Sequence, residues 1–490
     1  MKKNRIFLSI CLACIILLSS CSSNNLKENM YNANNFYVEQ EADIVEGTTI
    51  VENPFIATAE TSVSTLSADV DTASYTFLRK LINNRYTLSE IQASYGKYLR
   101  TEEMINYFDY LYEQPEGSEL FGVSASASVC PWNSESVLLT VGLSTQEAVE
   151  RSANNLVFLI DVSGSMSADD KLKLLKDSFS YLIDNLGDDD IISIVTYSGK
   201  EEIVLEGCSA SKKLKILSAV KSLSSSGSTN GEAGLKKAYV LAEKYYIENG
   251  NNRIIMASDG DLNVGMSSAE ELKEYVIRKK ESGVYLSVLG FGTGNFHDAN
   301  MEAIADNGNG VYYYIDGETE AEKVFGDDLI STLYAVANDV KLQITFNSNF
   351  VSSYRLIGYE NRVMTQEEFD DDTKDAGEIG AGHTVTVCYE LKMNGEYLQD
   401  SDWLTLDVRY FKTGETTAHQ DSYTVGSSSY TKIPDKDFIF VASVIRTAMI
   451  VRESKYSTDD SIGKVISTLN DIELNDEYKK EFLELLKKLD

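Results

Sequence analysis

Residues 156–166 read LVFLIDVSGSM: five apolar residues, then an acid followed by two serines at alternate positions. An unbroken apolar run of this length predicts a strand buried on both faces, as strands of parallel sheets are. Asp161, Ser163 and Ser165 then fall on the loop at the strand's C-terminal end. Open α/β sheets hold their ligands there. An acid and two hydroxyls are oxygen donors, and such donors suit a hard divalent cation, Mg²⁺ in particular.

Outward from this stretch, residues 153–337 alternate strand and helix signals. Strands are predicted at Leu156–Ile160, Ile191–Tyr197, Glu202–Leu205, Arg253–Ser258, Val284–Gly290 and Gly310–Ile315. Between them, Leu172, Leu175, Phe179, Leu182 and Leu186 form one amphipathic helical face, expected within a helix Asp169–Leu186. Leu235, Ala238, Leu241 and Tyr245 form another. This alternation predicts a Rossmann-like α/β unit, a mostly parallel sheet with helices on both faces. The turn Ser198-Gly199-Lys200 predicts that the short strand after it pairs antiparallel at an edge.

The flanks read differently. Asp71 or Thr72 is positioned to cap a helix from Ala73, and a second helix is expected near Glu102–Tyr112. Val123–Val129 and Val137–Leu143 read as strands, followed by a polar linker at Ser144–Asn155. After Asp339 the apolar period becomes two, as in Val340, Leu342, Ile344 and Phe346, and again in Leu404, Leu406 and Val408. That period predicts an antiparallel β domain of sandwich type. From Asp437 the chain turns helical, with Tyr478, Phe482, Leu485, Leu486 and Leu489 on one face and Asn475 or Asp476 as the cap. Strands on both sides of the α/β unit suggest that it is inserted in, or flanked by, one β domain.

The acids outnumber the bases, 76 to 44, for a net charge of −32. This argues against nucleic acid, whose binding needs basic patches. Lys2, Lys3 and Arg5, then an apolar run Ile6–Leu18, read as an export signal. The run is too short to span a bilayer as a mature helix. No later segment reaches 18 apolar residues. Beyond residue 21 the cysteines are Cys130, Cys208 and Cys388, an odd and scattered set that frames no disulfide scaffold. His297, His383 and His419 are widely spaced and, with no CxxC beyond residue 21, argue against zinc.

Two further elements follow the first in order: Thr229 in the loop GSTNG (227–231) and Asp259 in SDG (258–260). Taken singly, each has a plainer reading. Asp161 and the serines, or Thr229 and Asn230, are helix-capping types, and Asp-Gly is a turn. Together, in this order, they resemble the DxSxS signature, threonine loop and acidic loop of von Willebrand factor type A domains. The resemblance implies a metal-ion-dependent adhesion site. Ser163, Ser165 and Thr229 would bind the cation directly, and Asp161 and Asp259 mainly through water. It also implies Mg²⁺, or another divalent cation such as Mn²⁺ or Ca²⁺, with one coordination position left for a Glu or Asp of a protein partner.

Leu18-Ser19-Ser20-Cys21 resembles a bacterial lipobox, which implies lipidation of Cys21 and anchoring to a membrane on its extracytoplasmic side, in the bacterial cell envelope. STLSADVDTASYTFLR (64–79), LRTEEMINYFDY (99–110), PWN (131–133) and the stretches 338–362 and 370–391 resemble a family of bacterial lipoproteins built around such a domain. The expected organisation is a signal and lipobox over 1–21 and a flexible tether over 22–60. A helical and β region follows over 61–150, then the α/β domain over 151–338, the β domain over 339–432 and helices over 433–490.

The functional expectation is a binding protein rather than an enzyme. The chain has no G-x-S-x-G elbow and no P-loop. A structural or assembly role in the envelope is the alternative, and a metal-dependent hydrolase is a third. Asp261 beside the acidic loop reads as a solvated carboxylate. Asp69 and Asp71 invite a second-metal reading against plain turn and cap roles. The acidic run EEFDDDTKD (367–375) reads as a solvated loop, with a calcium loop as the sharper reading but without EF-hand spacing.

Overall fold

Strand Asn154–Asp161 lies in the middle of a six-stranded sheet, between Ile191–Tyr197 on one side and Asn251–Ser258 on the other. All eight of its residues are buried, as its unbroken apolar run requires. The computed structural model describes residues 49–490 except 147–151, 229–230, 261–268, 293–297, 329–330, 332 and 458. In space the sheet runs Tyr312–Ile315, Tyr285–Phe291, Asn251–Ser258, Asn154–Asp161, Ile191–Tyr197, Glu201–Ser209. All neighbours are parallel except the last pair, where the turn at Ser198–Lys200 reverses the chain and sets an antiparallel edge. The sheet carries helices on both faces, as an α/β unit of the expected kind does, and two antiparallel sheets lie beside it.

From the central strand the chain goes first to one neighbour and later returns to the other. The strand order therefore reverses between Asn154–Asp161 and Asn251–Ser258. A crevice opens at such a reversal, beyond the carboxyl ends of the two strands. Asp161 is the last residue of one strand, and Asp259 is the first after the other.

The helix expected from Asp169 starts differently. Asp169–Lys173 forms a π-type turn, with Lys171 at φ −123° and ψ −111°, and regular α-helix runs only over Leu174–Asn185. Its apolar face is the expected one: Leu175, Phe179 and Leu182 are buried, with Phe179 against Phe158 of the central strand at 4.7 Å.

The two antiparallel sheets draw strands from both flanks of this unit. One runs Ile56–Ala57, Val351–Ile357, Thr384–Met393, Asn133–Thr145, Phe121–Cys130. The other runs Val363–Met364, Val63–Ser67, Ala335–Phe346, Asp402–Lys412, Ala418–Gly426, with Gly377–Gly380 also pairing Ala335–Phe346. Leu139, Val141, Val387 and Tyr389 of the first share a core with Leu66, Leu342, Ile344 and Leu406 of the second. The α/β unit is thus inserted in the connection between Asn133–Thr145 and Ala335–Phe346. Ile56–Ala57, inside the segment expected as tether, pairs with Tyr354 and Ser353, so the folded body starts ahead of residue 61.

Helices close the body. Lys436–Val451 is apolar nearly all round and accordingly buried. Its Phe440 meets Phe108 at 4.8 Å and Phe482 of helix Glu477–Leu489 at 5.5 Å. Asp476 caps the latter, accepting the Lys479 N–H at 2.8 Å. Two expectations at the N-terminal flank need correction. The helix near Glu102–Tyr112 is only Thr101–Ile105, because Tyr107, Phe108 and Tyr110 turn inward to pack rather than continue the helix. Helix Ala73–Asn83 has Thr72 at its cap position without a side-chain cap bond, and Asp71 instead accepts the Tyr312 N–H at 2.9 Å. Among the described residues no helix is long and apolar enough to cross a membrane.

Candidate metal centre

Asp161 is fully buried at the end of its strand. One carboxylate oxygen, Oδ1, accepts the Ser163 N–H at 2.7 Å, which folds the chain back on itself just past the strand. The other, Oδ2, is buried and accepts no well-formed hydrogen bond. Burial pushes the Asp161 carboxyl up to about 6; the Asp259 charge adds to this, while hydrogen bonds from Ser163 and Tyr197 oppose it. The returning loop stacks two hydroxyls, with Ser163 Oγ 2.9 Å from Ser165 Oγ. Ser163 is buried, and Ser165 is partly open to solvent.

The second loop is pinned to the first through the backbone. Ser226 N–H donates to the Val162 carbonyl at 2.7 Å, and Gly164 N–H donates to the Gly227 carbonyl at 3.0 Å. Gly227 has φ +82°, in the left-handed region that glycine adopts freely. Thr229 and Asn230 lie outside the described residues, two and three positions beyond Gly227. Helix Gly231–Lys244 follows at once.

The third element is Asp259, whose side chain is fully buried. Its Oδ2 accepts from Lys171 Nζ at 2.7 Å, and the same ammonium donates to the Ser165 carbonyl at 3.1 Å. Asp259 and the serine loop are thereby held across one gap. Asp261 lies outside the described residues.

Four of the five expected ligand positions thus converge at the switch point, and the fifth falls just past a loop fastened to them. The residues present fit a hard cation. Two carboxylates and two hydroxyls gather at one edge of the sheet, and Asp161 Oδ2 is buried without a well-formed hydrogen bond, an arrangement that a cation beside it would relieve. Ser163 stands at the N-cap position of the short turn Gly164–Ser167 but makes no side-chain cap bond, and none of Asp161, Ser163 and Ser165 caps the helix Leu174–Asn185.

Sequence reasoning missed Lys171. Its signal was a base in the first turn of a helix, at the end that disfavours positive charge.

Other readings resolve locally. Asp69 and Asp71 face Arg362 at 3.2 and 3.5 Å, and Arg362 also bonds Glu302 and Asp306 of the α/β unit. They belong to an ion-pair junction. In the acidic run, Asp372 pairs with Arg409 and Glu368 with Lys374. Asp375 groups with Asp339 and Glu378, their oxygens within 4.8 Å. Lys280 already pairs with Asp375 at 2.5 Å, and Asp339 accepts the Ala376 N–H. Cys130, Cys208 and Cys388 are free and buried. Cys21 and His297 lie outside the described residues.

Residues 155–327 match the von Willebrand factor type A domain family, and residues 45–140 match a family described as von Willebrand factor. Residues 331–490 match the family described as the C-terminal part of the uncharacterized protein YfbK. The uncharacterized protein YfbK of Escherichia coli (strain K12) is 36% identical over 469 residues, covering 90% of this chain and 80% of that protein. Among solved structures, a von Willebrand factor type A protein from Catenulispora acidiphila aligns with a TM-score of 0.46 at 15% identity, over 77% of this chain and 92% of its own. Proximal thread matrix protein 1 from the mussel byssus, with a zinc-occupied MIDAS motif, aligns with a TM-score of 0.31 at 22% identity, over 38% of this chain and 46% of its own.

Proposed function

The chain belongs to the family of YfbK and carries a von Willebrand factor type A domain; from that premise we propose that it is a binding protein of the bacterial cell envelope that takes hold of a partner protein through a divalent cation. The observation that carries this reading is the meeting of Asp161, Ser163, Ser165 and Asp259 at the sheet's switch point, with Asp161 Oδ2 buried and lacking a well-formed hydrogen bond. Ser163 and Ser165, together with Thr229 from the neighbouring loop, are the direct ligands, and Asp161 and Asp259 orient them. A divalent cation held there, Mg²⁺ first of all, supplies an open position for a carboxylate oxygen of the partner.

The protein's own groups do the rest. Hydroxyls bring no charge, so the centre stays electropositive towards an incoming carboxylate. Asp161 fixes the serine loop through the Ser163 N–H. The Gly164–Gly227 bond fixes the distance between the first two loops. Binding, not turnover, is the role assigned. The pattern of basic head, apolar run and Leu18-Ser19-Ser20-Cys21 supports a lipid anchor on Cys21, outside the cytoplasm.

The test is direct. Calorimetry should show Mg²⁺ or Mn²⁺ binding one-to-one to the wild type and lost in Ser163→Ala. Capture from envelope extracts should yield a partner in Mg²⁺ that is released by chelator and absent with Ser163→Ala. Capture indifferent to both would remove this mechanism. Cys21→Ala should move the protein from the membrane fraction to the soluble one.

A further inference from the structure

Lys171 has no part in the resemblance that points to the metal centre, yet its ammonium lies inside it. Nζ touches two of the site's loops at once, Asp259 Oδ2 at 2.7 Å and the Ser165 carbonyl at 3.1 Å. The side chain is only 12% exposed. Three features hold it there. The π-type turn at Asp169–Lys173 departs from helical geometry at Lys171 itself and re-aims its side chain. Its stem passes over Gly292, at φ +79°, where a Cβ would collide with the Lys171 methylenes. The neighbouring Asp170 is tied by Lys80 of the N-terminal flank at 3.0 Å.

We propose that Lys171 is a tethered cation that competes with the divalent ion for Asp259, so that it sets the affinity of the centre and gives up Asp259 when the ion is taken up. The inference rests on the metal-centre reading above. Its physics is simple. Asp259 is a buried carboxylate that needs one positive neighbour, and two cations within a few ångströms repel strongly where water is excluded. An ammonium on a four-carbon stem leaves a carboxylate by rotation about side-chain bonds, without a change in the backbone. The positioning role follows: Lys171 keeps Asp259 in place and compensated until the ion arrives, and it raises the ion concentration needed to fill the site.

The test uses the metal alone, with calorimetry of Mg²⁺ and Mn²⁺ on the whole chain. Lys171→Met and Lys171→Gln should bind at least tenfold more tightly than wild type, and Lys171→Arg, which keeps the charge, should stay within about threefold of it. In chelator the neutral variants should melt lower than wild type, and their gain in Tm on adding Mg²⁺ should be larger. In the wild type, acylation of Lys171 read by mass spectrometry should rise across the same Mg²⁺ series. Neutral variants that fold and bind with wild-type or weaker affinity overturn the proposal. So does flat Lys171 labelling across a series in which binding is measured. Absence of saturable binding in wild type and variants alike would instead overturn the metal-centre reading.

Discussion

The Gly164 N–H donates to the Gly227 carbonyl at 3.0 Å, joining two loops that lie more than sixty residues apart in the chain. Gly227 holds φ +82° to present that carbonyl. A branched side chain there is strained by about 1–3 kcal/mol. Gly227→Val should lower the unfolding free energy by that amount in urea titrations and weaken Mg²⁺ binding, because Thr229 lies two residues further on. A variant with wild-type affinity would uncouple the loop from the centre.

Ser163→Ala removes one of the two paired hydroxyls and leaves Ser165 Oγ without that neighbour. The cost in fold stability should be small, about 1 kcal/mol. The loss in metal affinity should exceed tenfold. Near-ultraviolet circular dichroism and calorimetry on one sample separate the two effects.

Glu102 is fully buried, and its carboxyl oxygens lack a well-formed hydrogen bond. Burial, then the charges of Glu360, Asp69 and Glu103, push its pKa to about 8. The folded state therefore holds a proton that the unfolded chain releases near pH 4.5. Stability from this group is greatest below that pH and falls as pH rises towards 8. Glu102→Gln should be more stable than wild type at pH 8 and above, by a few kcal/mol, with the gap closing towards pH 5. Urea titrations of both proteins over pH 5–9 measure the difference.

Arg362 joins Asp69 of the β domain to Glu302 and Asp306 of the inserted unit, with its side chain 12% exposed. Arg362→Met should cost roughly 3–5 kcal/mol, since it strands several buried carboxylates. Calorimetric melting checks this. A shift in Tm of less than about 2 °C would show the junction to be energetically slack.

Much of the α/β unit is legible in the sequence. Ile191–Tyr197 was delimited from sequence alone and Asn154–Asp161 to within two residues, because strands buried on both faces have no polar alternation to blur them. The placement of Asp161, Ser163, Ser165 and Asp259 at the ends of two such strands is legible too, since Asp161 closes one strand, the serines lie on the loop after it and Asp259 directly follows the other. Lys171 was not, since its place depends on a local break in helix geometry that no periodicity encodes. Asp71 looked like a cap and bonds the Tyr312 N–H instead, a partner 241 residues away. Ile56–Ala57 and Val363–Met364 are two residues long, and only their partners define them.

Strand Asn133–Thr145 finds its second neighbour in Thr384–Met393, with Leu139 opposite Tyr389. A growing chain cannot close that ladder until some 250 residues later, whereas the inserted unit has all its strands well before then. Non-local pairing of this kind is slow to form. During synthesis the early hairpin waits with an open edge, and an unpaired edge is open to mispairing. That ladder can close only once every strand of the inserted α/β unit is already present in the chain.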